Sequence, residues 1–166
     1  NPLLKKGGGK EILEVSEDTG VLVKTICADY FMEAPLHSSN EKLAKESFKV
    51  LNRLLEVAKD IKISDIVIPC VDQSSLKTND SEDRFVQQIL KIIPVIEREN
   101  INLSLETDLD PKSFVRLLDK LDSINITVNY DIGNSAALGY DSNEELMAYG
   151  DRISDIHIKD RVLGGG

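Results

Sequence analysis

The chain has no tryptophan, two histidines and two cysteines among 166 residues. The cysteines, Cys27 and Cys70, stand in separate apolar runs and form no C-x-x-C pair. That argues against a disulfide-stapled scaffold and for a reduced, cytoplasmic compartment. No apolar run reaches the ~18 residues that a membrane-spanning helix needs. No charged start followed by an apolar stretch and a small-residue cleavage site is visible, so no secretory signal is read. Cations are in deficit: Lys and Arg number 20 against 29 Asp and Glu, a net charge of −9. Phosphate backbones demand clustered cations, so neither nucleic acid nor an acidic membrane is an expected partner. The glycine triplets at 7–9 and 164–166 lack a Walker pattern and do not read as phosphate cradles. No serine or cysteine nucleophile with a histidine partner is readable.

What is present suffices for a core. Apolar residues make up 41% of the chain, and the length suits one compact domain or part of a larger one. An apolar, β-branched run recurs at Val21–Cys27, Ile66–Val71, Ile101–Leu105, Ile126–Tyr130 and Ile153–Ile158. Helical periodicity fills the gaps, over Glu41–Lys59, Glu82–Arg98, Pro111–Leu121 and Asn143–Tyr149. Glu11–Asp18 reads as the close of a helix starting near Asn1. Strands alternating with helices predict a parallel sheet with right-handed crossovers. Parity then favours a barrel over a doubly wound open sheet. If Glu106 and Asp131 point inward, so do Ser104, Asn129 and Thr127, while Leu103, Leu105, Ile126 and Val128 point outward. A strand covered by helices on both faces would be apolar on both. One polar face fits a lumen that becomes polar toward its C-terminal mouth. Five strands are readable where a (β/α)8 barrel has eight, so residues 1–166 read as a single incomplete barrel domain. Free edges of such a sheet would favour homo-oligomers.

Three strand ends carry chemistry: Glu106 in L-S-L-E-T-D, Asp131 in N-Y-D-I-G-N and His157 in I-H-I-K-D-R. They are one β/α unit apart, so consecutive parallel strands bring them to one rim, where barrels of this kind build their sites. Two carboxylates and an imidazole suit one divalent ion, Mn²⁺, Mg²⁺, Co²⁺ or Zn²⁺. Such an ion can polarise a carbonyl while Glu106 moves the proton. Singly, each residue has a plainer explanation: a solvated loop residue or helix cap at Glu106, a turn residue at Asp131, a packed core histidine at His157. His37, in the loop after the first run, and Arg161, beyond His157, are candidates for holding substrate. Gln73 could reach substrate hydroxyls, and Cys70 reads as core filler.

The strings S-L-E-T-D, N-Y-D-I-G-N-S-A-A-L-G-Y and D-I-H-I-K-D-R, in this order, resemble the xylose-isomerase-like TIM-barrel superfamily, within it the sugar phosphate isomerase/epimerase group. I-C-A-D-Y-F-M-E-A-P-L-H resembles the second strand and loop of that group. The resemblance implies a partial (β/α)8 TIM barrel covering about strands two to six. It implies a metal held by Glu106, Asp131, His157 and a second glutamate beyond Gly166, which is also the other half of the acid–base pair. The segment alone is therefore expected to be inactive. Arg161 and, more loosely, His37 match substrate-holding positions, and the substrate is a small carbohydrate. Related apurinic-site endonucleases use D-x-x-H to bind an additional zinc, whereas Asn134 stands in that place here. That turns the resemblance away from a metal phosphodiesterase and toward sugar chemistry. A non-catalytic binding barrel is the other alternative.

Overall fold

A computed structural model describes residues 4–5 and 7–164. The helix expected to start near Asn1 starts instead at Lys10, after a turn at residues 7–9 in which Gly7 takes a positive φ. Part of the C-terminal glycine triplet lies outside the described residues. The elements run α1 (Lys10–Thr19), β1 (Thr25–Cys27), α2 (Tyr30–Glu33), α3 (Glu41–Asp60), β2 (Asp65–Cys70), α4 (Asn79–Leu90), α5 (Ile93–Glu99), β3 (Asn102–Thr107), α6 (Pro111–Leu121), β4 (Ile126–Asp131), α7 (Ile132–Leu138), α8 (Ser142–Tyr149) and β5 (Ile153–His157). The five strands form one parallel sheet in the order β1-β2-β3-β4-β5.

Sequence order equals spatial order, with helices between strands, as a half barrel requires. Curvature shows in one hydrogen bond. Thr25 Oγ1 on the first strand donates to Asp155 Oδ1 on the last at 2.8 Å, across the concave face. An open, doubly wound sheet holds such side chains far apart. The faces divide as the parity predicts. Ile66, Ile68, Leu103, Leu105, Ile126 and Val128 pack against the helices in one buried cluster with Leu51, Phe85, Ile89, Leu117 and Leu118. The concave face is hydroxylic: Ser154 Oγ bonds Ser104 Oγ at 3.0 Å and Thr127 Oγ1 at 2.7 Å.

Local rules explain most boundaries. Asn40 caps α3 by accepting from the amides of Lys42 and Leu43. Asp110 caps α6 in the same way, with Pro111 at the first helical position. The long helix expected over Glu82–Arg98 is two helices, α4 and α5. Pro94 is the reason: it has no amide to donate, and its ring would clash with the carbonyl of Leu90, the last residue of α4. β1 is shorter than its apolar run. Val21 and Leu22 are exposed and pair with no strand among the described residues.

Candidate metal centre at the strand ends

Strand register carries the site. Ser104 pairs with Thr127, and Asp131 with His157, so the ends of β3, β4 and β5 stand side by side. Between Val128 and Asn129 the β4–β5 ladder slips by one residue: Val128 faces Ile153, but Asn129 faces Asp155. Ser154 is the extra residue of a β-bulge. In an unbroken pleat, Ile153 and His157 would share a face, and Ile153 packs outward against the helices. The bulge turns His157 inward beside Asp131.

One ligand atom each from Glu106, Asp131 and His157 lies within 4.8 Å of the others. His157 Nδ1 is 3.3 Å from Glu106 Oε2 and 3.8 Å from Asp131 Oδ2. Both carboxylates are buried and the imidazole is half-buried. Each carboxylate spends one oxygen on positioning. Asp131 Oδ1 accepts from the backbone amide of Asn134 at 2.9 Å and so caps α7. Glu106 Oε1 accepts from Asn134 Nδ2 at 2.7 Å. The other oxygens face the cluster. Asn129 Nδ2 lies 2.8 Å from Glu106 Oε2 and 3.0 Å from His157 Nδ1, bridging the two. Lys159 Nζ stands 2.6 Å from Asp131 Oδ2, but off the hydrogen-bonding direction, so that buried oxygen lacks a donor. Burial, then the negative charge of Asp131, pushes the Glu106 carboxyl above its ordinary range; His157, the Asn129 hydrogen bond and Lys159 pull it partly back.

This arrangement fits a divalent cation. Two acidic oxygens and an imidazole nitrogen converge, and Asp131 Oδ2 is buried with an unused lone pair. Lys159 offsets only part of the charge. Gly133 lets its segment close in: a Cβ there would lie 2.5 Å from Lys159 Cγ and 2.9 Å from its carbonyl oxygen.

The other sequence candidates lie elsewhere. Arg161 lines a neighbouring cavity of about 250 Å³ with Asp72, Asp108 and Asn134. His37 is buried, its ring edge-on to Phe85 at 6.0 Å, and its Nδ1 has no partner. Gln73 is exposed and donates to Glu33. Cys70 is core, as expected. Parity puts Asn129 on the inward face but gives no sign that it bridges Glu106 and His157. The Lys159–Asp131 ion pair and helix α7 have no sequence signal of their own. In α7, Gly133 disfavours a helix and Gly139, at positive φ, stops it after 7 residues.

His37 yields a prediction about pH. Burial, then the nearby Arg84 charge, lowers its imidazole to about 4 from 6.5. The unfolded chain binds the proton more readily, so stability is full above about pH 6.5 and falls as pH drops toward about 4. His37→Asn should flatten the change in unfolding free energy between neutral and mildly acid buffer. An unchanged slope in urea titrations would refute this.

The comparisons with known proteins bear on the fold that carries this geometry. A family model described as xylose isomerase-like TIM barrel matches residues 3–166. The L-ribulose-5-phosphate 3-epimerase UlaE of Salmonella typhimurium is 25% identical over 153 residues, which is 89% of this chain and 54% of that protein. The chain thus spans about half the length of the curated relatives it matches. The 3-keto-D-glucoside 4-epimerase YcjR of E. coli superimposes with a TM-score of 0.79 at 16% identity, over 95% of this chain and 65% of that one. A xylose isomerase-like TIM barrel protein from Mycobacterium smegmatis, solved in complex with magnesium, gives 0.75 at 15% identity, over 95% and 57%. A polar concave face, a shared rim of strand ends and a family match along nearly the whole chain lead to one assignment: this chain belongs to the xylose isomerase-like TIM barrel family.

Proposed function

We propose that the complete protein is a metal-dependent sugar or sugar-phosphate isomerase or epimerase. The observation that carries this is the convergence of Glu106, Asp131 and His157 at one rim. The curated relatives named L-ribulose-5-phosphate 3-epimerases support it. Glu106, Asp131 and His157 would hold one divalent ion, Mn²⁺, Mg²⁺, Co²⁺ or Zn²⁺. When bound, that ion would supply Lewis acidity to the substrate carbonyl. Glu106 then moves the proton on the neighbouring carbon, and its buried setting suits a base. Arg161 holds a substrate oxygen from the adjoining cavity. Asn134 supports a single-ion site: in the place of the D-x-x-H histidine it presents an amide, whose nitrogen is committed to Glu106.

Residues 1–166 form one incomplete barrel domain in this reading. The second acid–base glutamate comes from the length that the relatives have beyond this match, so the segment alone does not turn over a small carbohydrate. The setting is cytoplasmic; among the described residues no helix is long and apolar enough to cross a membrane. Neither nucleic acid nor membrane is a partner, and the isolated segment self-associates through its open edges.

Crystals of the complete protein grown with Mn²⁺ test the site by anomalous scattering. The expected result is one peak in contact with Glu106, Asp131 and His157. A rim without a peak at saturating Mn²⁺ would remove the basis of the proposal.

A further inference from the structure

Helix α8 is docked in an unusual way. Its only buried residues are Glu145 and Tyr149, so its one apolar anchor is the Tyr149 ring, packed against Phe114 and Tyr130. Glu145 is 3% exposed, and its partners are three hydroxyls. Tyr130 Oη on β4 donates at 3.0 Å, Tyr149 Oη at 2.8 Å, and Ser135 Oγ on α7 completes the set. Among the described residues no cation stands within ion-pair distance of it. A buried carboxylate without a counter-charge is a poor way to gain stability, since an apolar residue with apolar neighbours would dock the helix at lower cost. What a carboxylate does well is fix the directions of several donors at once.

The donors it fixes belong to the elements that build the metal centre. Tyr130 lies between Asn129 and Asp131. Ser135 follows Asn134, whose amide holds Glu106 Oε1 at 2.7 Å. Helix α7 has 7 residues, too few to hold its own orientation in water. We propose that Glu145 is a positioning residue for Glu106: through Ser135 it sets the orientation of α7, and through Asn134 it sets the rotamer of the carboxylate. It touches no reacting atom. Its effect on catalysis rests on the metal-dependent reading above, whereas its effect on Asn134 does not.

Three substitutions in the complete protein separate positioning from plain stability. Ser135→Ala cuts the link to α7. Glu145→Gln keeps the volume and one acceptor but removes the charge. Tyr149→Phe breaks a contact within α8 and leaves the link to α7 intact. The readouts are Mn²⁺ affinity by calorimetry, the NMR resonance of the Asn134 side-chain amide, and melting temperature. Ser135→Ala and Glu145→Gln should each weaken Mn²⁺ binding by ~10–100-fold, the size typical of lost outer-shell partners. Both should shift the Asn134 resonance, and Ser135→Thr should restore it. Tyr149→Phe should change the melting temperature alone. If all three lower the melting temperature while Mn²⁺ affinity and the Asn134 resonance stay at parental values, Glu145 is only a staple and the proposal fails. If the parent binds no Mn²⁺, the metal reading fails and the Asn134 resonance decides: a shift upholds the positioning role, and an unmoved signal rejects it.

Discussion

On the proposed isomerase or epimerase reading, Glu106→Gln in the complete protein should lower kcat/KM by ~10²–10⁴-fold, the usual contribution of a positioned acid or base. Glutamine has the same shape and can still accept from Asn134, so the backbone should not move. What is lost is the proton carrier and one negative ligand oxygen. The loss should fall mainly on kcat, because Arg161, not Glu106, lines the cavity assigned to substrate holding. Mn²⁺ affinity should fall as well, and calorimetry on the same samples separates the two effects. Full activity in the variant would transfer the base to another residue and leave Glu106 a spectator.

Phe85→Ala should destabilise the fold by ~3–5 kcal/mol, the usual cost of deleting a buried aromatic ring. Phe85 is fully buried on α4, in the layer between the sheet and the helices. Its ring also supports the edge of His37, so the variant removes packing from the loop that follows β1. For a chain of this length ~3–5 kcal/mol corresponds to a melting temperature lower by roughly 10 °C. Urea unfolding with an unchanged m value would assign the effect to stability. A loss under ~1 kcal/mol would mean that the site collapses around the cavity, and that the layer is less rigid than its burial implies.

These effects come from different levels of organisation. The sheet and its helices were legible because their signals are local. Period-two runs such as Ile126–Tyr130 and period-3.6 faces such as Pro111–Leu121 state which side must leave water, whatever the rest of the chain does. Parity assigns Ser104, Thr127, Asn129 and Asp131 to one face, since a side chain's face in a regular strand depends only on counting. The break at Pro94 was also written in the sequence, but the apolar period running across it masked the break.

Counting stops working where the chain departs from regularity. By parity alone His157 would share a face with Ile153, against the helices. It reaches Asp131 because Ser154 is squeezed out as a bulge, and the neighbouring strand and hydroxyl lumen decide that. The roles of Asn134 and Glu145 depend on α7 and α8, short helices with weak intrinsic signals. Amino-acid order by itself determined the alternation of strands and helices, the buried and polar faces, and which three side chains stand at strand ends. Tertiary structure alone decided the distances among them and which amides and hydroxyls hold each oxygen. The reason is physical: periodicity is a property of neighbours along the chain, whereas register slips and buried hydrogen bonds are settled between segments 10 to 130 residues apart.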